Sequence, residues 1–120
     1  ISQSFSMESP QKKNVLIITG DLVEDYELMV PFQVLIMAGH DVHVVSPDKR
    51  KGDKIKTIVH NAGGGEEKEG HNFTINFDFD EVKAENYDAL YLPGGDAPET
   101  LKKNAKVVDI AKNFLDNNRP

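Results

Sequence analysis

Three acids stand close together behind the first strongly apolar run of the chain: Glu24, Asp25 and Glu27, with Pro31 following. The run itself, Val15-Leu16-Ile17-Ile18, has the length and composition of a central parallel strand, and Gly20-Asp21 leads out of it. In open α/β sheets ligands bind outside the carboxyl ends of the strands, so a carboxylate at this rim is placed to exchange a proton with whatever binds there. Glu27 is singled out by Pro31. A proline has no N–H, so the carbonyl four residues before it, that of Glu27, loses its helical partner and the local geometry is irregular. The plainer reading is that the acids complement the dipole of a helix N-terminus. A second stretch, Leu92-Pro93-Gly94-Gly95, offers another kind of chemistry. Glycines after a strand present bare backbone N–H groups that can hold an oxyanion, although a Gly-Gly pair alone is more often a tight turn.

The absences narrow the choice. There is no Cys among the 120 residues, which removes disulfides, thiolate zinc sites and a thiol nucleophile from this sequence. Thr19 and Ser46 have no His beside them in a recognisable motif. His40, His43, His60 and His71 show no metal-ligand spacing and read as structural residues. Gly63, Gly64 and Gly65 lack the Gly-Lys-Ser/Thr ending of a phosphate loop. With 20 acidic against 14 basic residues and a net charge of −6, a nucleic acid or an anionic membrane is a poor partner, and a small neutral or polar ligand a better one. No apolar run approaches membrane-spanning length, and residues 1–13 lack the pattern of a signal peptide. The expectation is a cytoplasmic protein with a disordered leader over 1–13, Met7 being a plausible start.

The elements that must position these residues follow from periodicity. A strand over 15–19 is followed by an amphipathic helix over 26–38, with Leu28, Met29, Phe32, Leu35 and Ile36 on its buried face and Gly39 as its stop. Residues 41–46 form a second strand ended by Pro47, which completes a βαβ unit. A basic stretch over 49–56 reads as a solvated turn. Residues 57–60 and 73–79 read as short strands flanking a Gly-rich loop over 63–70, a hairpin-like excursion in which Phe73, Ile75, Phe77 and Phe79 face the core. Residues 89–92 supply the third parallel strand, and 105–115 a helix with Val107, Val108, Ile110, Ala111, Phe114 and Leu115 apolar. If the order is flavodoxin-like, with the first strand between the second and third, the Gly20 and Gly94-Gly95 loops lie side by side.

As a set these residues resemble the DJ-one/PfpI family, which includes the Parkinsonism-associated deglycase, bacterial intracellular proteases and plant cofactor-independent glyoxalases. The resemblance runs from about residue 14 to residue 120. It rests on the first strand, on Glu24-Asp25-Tyr26-Glu27 ahead of Pro31, on Ala38-Gly39-His40, on Gly70-His71-Asn72-Phe73-Thr74, and on Leu92-Pro93-Gly94-Gly95 with Ala97-Pro98-Glu99. The segment around 70–73 looks most like plant members that carry two such domains in tandem. The resemblance implies a flavodoxin-like α/β fold, a three-layer sandwich, with 14–120 as the N-terminal portion of a class I glutamine amidotransferase-like domain. It also implies that Glu27 is the active-site acid, that Gly95 with Gly94 provides the oxyanion backbone, and that Glu99 matches the acid orienting the catalytic His of protease-like members. Asp96 is a departure, since many of those members carry Arg there.

In that family the nucleophile is a Cys on a strand-to-helix elbow a few residues beyond the position of Pro120. The expected activity is that of a glyoxalase or deglycase on methylglyoxal-like carbonyls, with no metal or organic cofactor, and with these residues inert on their own for want of the Cys. Expected partners are a small carbonyl substrate, the chain's own C-terminal continuation or a second domain to pair the open sheet edge, and a possible homo-oligomer. The rival readings are a non-catalytic binding or regulatory module and a PfpI-type intracellular protease or amidase. A flavodoxin-like or receiver domain ranks last, because Pro93-Gly94-Gly95 stands where it would need a phosphate-binding Ser/Thr loop or a phospho-acceptor Asp.

Overall fold

The computed structural model describes residues 11–60 and 66–120. The expected leader, apart from its last three residues, and Gly63, Gly64 and Gly65 lie outside the described residues. At the inner end of that leader the Lys13 N–H donates to His40 Nδ1 and the Lys13 carbonyl accepts from the Asp41 N–H.

The first sheet holds β1 (Asn14–Ile18), β3 (Asp41–Val45) and β6 (Ala89–Tyr91), all parallel, in the order β3-β1-β6. The first strand is therefore central, as the flavodoxin-like order requires, and Leu16, Ile17 and Ile18 are fully buried. The switch in connection direction falls between β1 and β6, and crevices for ligands form at such switch points. Helix α1 (Asp25–Met37) packs on β3, and α3 (Ala105–Asp116) on β6. The Asn104 side chain caps α3 by accepting the Val107 N–H at 3.1 Å. Val107, Ile110 and Phe114 of α3 are buried, whereas the apolar Leu115 is exposed. A further short helix, α2 (Ala97–Leu101), buries Ala97 and Leu101 and was not foreseen.

The expected amphipathic helix is not amphipathic. Leu28 is buried and Met29, Phe32 and Leu35 are half-buried, but Ile36 is exposed, together with Tyr26, Val30, Val34 and Met37. Apolar residues line α1 nearly all round, so spacing alone could not separate the inward face from the outward one. Gly39 does stop the helix, at φ 95°.

A second sheet holds β2 (Val23–Glu24), β4 (Lys54–Val59) and β5 (Lys68–Thr74), with β2 parallel to β4 and β4 antiparallel to β5. Glu24 is thus not in a helical first turn, as the sequence suggested, but in β2, opposite Ile58. The hairpin exists with both arms displaced toward the N-terminus from the expected residues. Its first arm begins at Lys54, inside the stretch read as a turn, and its second ends at Thr74 rather than running over 73–79. The reason lies at Asn76, where the chain crosses to the edge of the first sheet. The Asn76 side chain accepts the Val44 N–H at 2.7 Å and donates to the Val42 carbonyl at 2.9 Å, so one amide stands in for a neighbouring strand on β3. Phe73, Ile75 and Phe79 remain in the core, and Phe77 stacks on His43 at 4.1 Å between centroids.

Candidate functional site

The site is assembled where the loop after β1 meets the loop after β6. Leu22 takes the left-handed conformation, φ 70°, and so turns its carbonyl toward the Asp96 N–H, which donates to it at 2.8 Å. The Glu24 N–H donates to the Gly94 carbonyl at 3.2 Å, and between these two bonds Val23 and Gly95 face each other in an antiparallel bridge. Flanking bonds of this kind mark a non-hydrogen-bonded pair, in which the N–H of each member points away from the opposing strand. The Gly95 N–H is therefore turned out of the bridge. Gly95 has φ 88°, and a Cβ there would lie 2.3 Å from the Glu24 nitrogen. No other residue fits.

Glu27 and Gly94, singled out in the sequence, are brought together. The Gly94 N–H donates to Glu27 Oε1 at 3.2 Å, and a Cβ on Gly94 would come 2.6 Å from the same oxygen. The carbonyl that Pro31 leaves without a partner is also provided for. The Tyr91 hydroxyl, at the end of β6, donates to the Glu27 carbonyl oxygen at 2.7 Å. Burial, then the nearby negative charge of Glu27, pushes the Tyr91 phenol above its ordinary value, so it keeps its proton at neutral pH. The expected helix irregularity is thus a built contact that ties α1 to β6. Tyr91→Phe should cost about 1 kcal/mol of stability by leaving that carbonyl unpaired, measurable as a lowered urea midpoint with an unchanged m-value.

Glu99 stands apart from this pair. It lies on α2 in an exposed ion pair with Lys102 at 2.7 Å, and that hydrogen bond with the Lys102 charge holds its carboxyl below the usual range. Beside the pair, the structure gathers a cluster that sequence reasoning missed. Asp25, almost fully buried, accepts the His71 N–H at 2.6 Å and lies 3.0 Å from His71 Nδ1. Thr57, at a β-bulge in β4, places its hydroxyl 2.8 Å from Asp25 Oδ2 and 2.6 Å from the His71 carbonyl, so its one proton serves either acceptor. The only signal in the sequence was a small hydroxyl residue in a run of strand formers. Asp25 thereby pins the β4–β5 hairpin to the start of α1, two residues from Glu27.

Burial pushes the Asp25 carboxyl up, but the His71 N–H, the Thr57 hydroxyl and the His71 ring together outweigh it and hold the carboxyl below its ordinary value of 3.8. A lowered folded value means that the ionised form stabilises the fold fully above the unfolded value and that this contribution is lost as pH falls through the folded one. Asp25→Asn should therefore lower the melting temperature at neutral pH, by an amount that shrinks as both proteins are titrated from about pH 5 to below pH 3. Paired melts across that range check it.

Residues 13–120 match the DJ-1/PfpI family. The chain belongs to that family. It is 49% identical over 111 residues to protein DJ-1 homolog D of Arabidopsis thaliana, covering 90% of this chain and 29% of that protein. It is 35% identical over 106 residues to deglycase PH1704 of Pyrococcus horikoshii, covering 88% of this chain and 56% of that one. Among solved structures, a two-domain protein of Anabaena variabilis with DJ-1/ThiJ/PfpI-like and ferritin-like domains superposes with a TM-score of 0.68 at 27% identity, over 90% of this chain and 28% of that one. The fold is the α/β flavodoxin-like fold of these neighbours. The chain spans from 29% to 56% of the length of these curated relatives. No helix among the described residues is long and apolar enough to cross a membrane.

Proposed function

We propose that this family member is a cytoplasmic, cofactor-independent glyoxalase or deglycase acting on methylglyoxal-like carbonyls, with Glu27 as proton shuttle. The observation that carries the reading is the contact between Glu27 Oε1 and the Gly94 N–H at the β1/β6 switch point, beside an outward-turned Gly95 N–H. Deglycase-named relatives support the class of reaction. A thiolate adds to the aldehyde carbon, and the oxygen that becomes anionic is held by backbone N–H groups near Gly95. Glu27 takes the proton from that carbon and returns one to the neighbouring carbon through an enediol, leaving a lactoyl thioester. Water cleaves the thioester to lactate and the free thiol. The oxidation of one carbon and the reduction of the next are internal to the substrate, so no external oxidant is consumed.

These 120 residues hold no Cys, so the thiol comes from chain outside them or from another molecule. The second reading is a binding module that keeps the Glu27 pocket without chemistry. Lactate formed from methylglyoxal by the full-length protein, without added glutathione, tests the first reading. Binding without turnover would leave the second. Release of free amine from methylglyoxal-treated peptides would assign the deglycase branch.

A further inference from the structure

Three ionisable side chains from three separate segments converge at the edge of this site. His60 directly follows β4, Glu67 directly precedes β5, and Asp96 directly follows Gly95. One nitrogen of His60 and one carboxylate oxygen each of Glu67 and Asp96 lie within 4.8 Å of one another. Behind them stands Glu24, more than nine-tenths buried, whose Oε2 lies 2.5 Å from His60 Nδ1 and also accepts the His60 N–H at 3.3 Å. An ionised carboxylate only accepts, so this contact places a ring proton on Nδ1, and Nε2 is the ring atom that the neutral imidazole offers as a donor atom to a cation. Nε2 then looks at Glu67 Oε1 across 3.2 Å. With the ring neutral, two acceptors face each other there, an arrangement that a cation between them satisfies.

We propose that His60, Glu67 and Asp96 form a binding site for a first-row divalent cation, with Zn2+ preferred over Mg2+ and Ca2+. The preference follows from the imidazole donor, since Mg2+ and Ca2+ favour all-oxygen sites. Glu24 plays the part of the carboxylate that fixes the tautomer and direction of a ligating His. Bonds of about 2.0–2.2 Å to nitrogen and oxygen put ligand atoms roughly 3.5 Å apart, so the exposed Glu67 and Asp96 side chains need to close by about 1 Å. Water completes the coordination shell. A bound ion would clamp the end of the β4–β5 hairpin onto the loop that carries Gly95.

The test is a Zn2+ titration of the intact protein by calorimetry, with Co2+ absorption spectra as a second probe. One saturable equivalent is expected. It should be weakened on the order of 100-fold by His60→Ala, and roughly 10–100-fold by Glu67→Gln, Asp96→Asn or the orienting Glu24→Gln. The Co2+ spectrum should report nitrogen and oxygen ligation, which His60→Ala removes. Glu67 and Asp96 are exposed, so their variants decide the matter if His60→Ala fails to fold. A proton on Nε2 would satisfy the same pair of acceptors. In that case Zn2+ would bind without saturation, or with equal strength in all four variants, and either result overturns the proposal.

Discussion

Gly95→Ala should cost the intact protein about 3–4 kcal/mol, from left-handed strain of about 1–2 kcal/mol plus the two loop hydrogen bonds at about 1 kcal/mol each. The strain arises because Gly95 sits at φ 88°. The hydrogen bonds are at risk because a Cβ would meet backbone alone: the Glu24 nitrogen at 2.3 Å, the Leu22 carbonyl oxygen at 2.8 Å and the Val23 carbonyl carbon at 2.9 Å. No side chain can swing aside, so the loop after β1 and the loop after β6 must part, breaking Glu24 N–H to Gly94 and Asp96 N–H to Leu22. Gly52 is the internal control, since it has φ 98° but nothing within 4 Å of the place a Cβ would take. Gly52→Ala should therefore show only the strain, about 1–2 kcal/mol. Urea denaturation of both variants gives the comparison. Equal costs would mean that the two loops are not in the close contact described, and the outward-turned Gly95 N–H would lose its footing.

How much of this was legible in the sequence depends on the range of the interaction concerned. The central strand, its neighbours and their order were readable because Val15-Leu16-Ile17-Ile18 is a continuous apolar run and strand-helix-strand spacing leaves few topologies. The missing carbonyl partner at Glu27 was readable because proline chemistry is local. What filled the gap was not, because Tyr91 lies 64 residues away. The same holds for Thr57 and His71 around Asp25, and for the convergence of His60, Glu67 and Asp96: side chains meeting across β4, β5 and the loop after β6 leave no spacing to read. Two errors were local. Glu24 looked helical because it adjoins a helix, yet two hydrogen-bonded residues suffice for β2. The 73–79 run alternates like a strand, but at Asn76 it changes sheets while keeping its aromatic residues in the core.

The contact between Glu27 and Gly94 bears directly on the central claim, and Glu27→Gln separates its two parts. Glutamine keeps an Oε1 that can accept the Gly94 N–H, so the loop contact and the fold should survive. What it loses is the group that takes a proton from one carbon and returns it to the next. A positioned acid–base group contributes roughly 10²–10⁴-fold to rate, and kcat should fall by that factor. Binding of the substrate should change little. The decisive measurement is kcat for lactate formation from methylglyoxal by full-length wild type and Glu27→Gln, with thermal melts alongside. The account predicts matching melts and a loss of at least about 10²-fold in kcat. Matching melts with near wild-type kcat would contradict it, and would remove Glu27 from the chemistry.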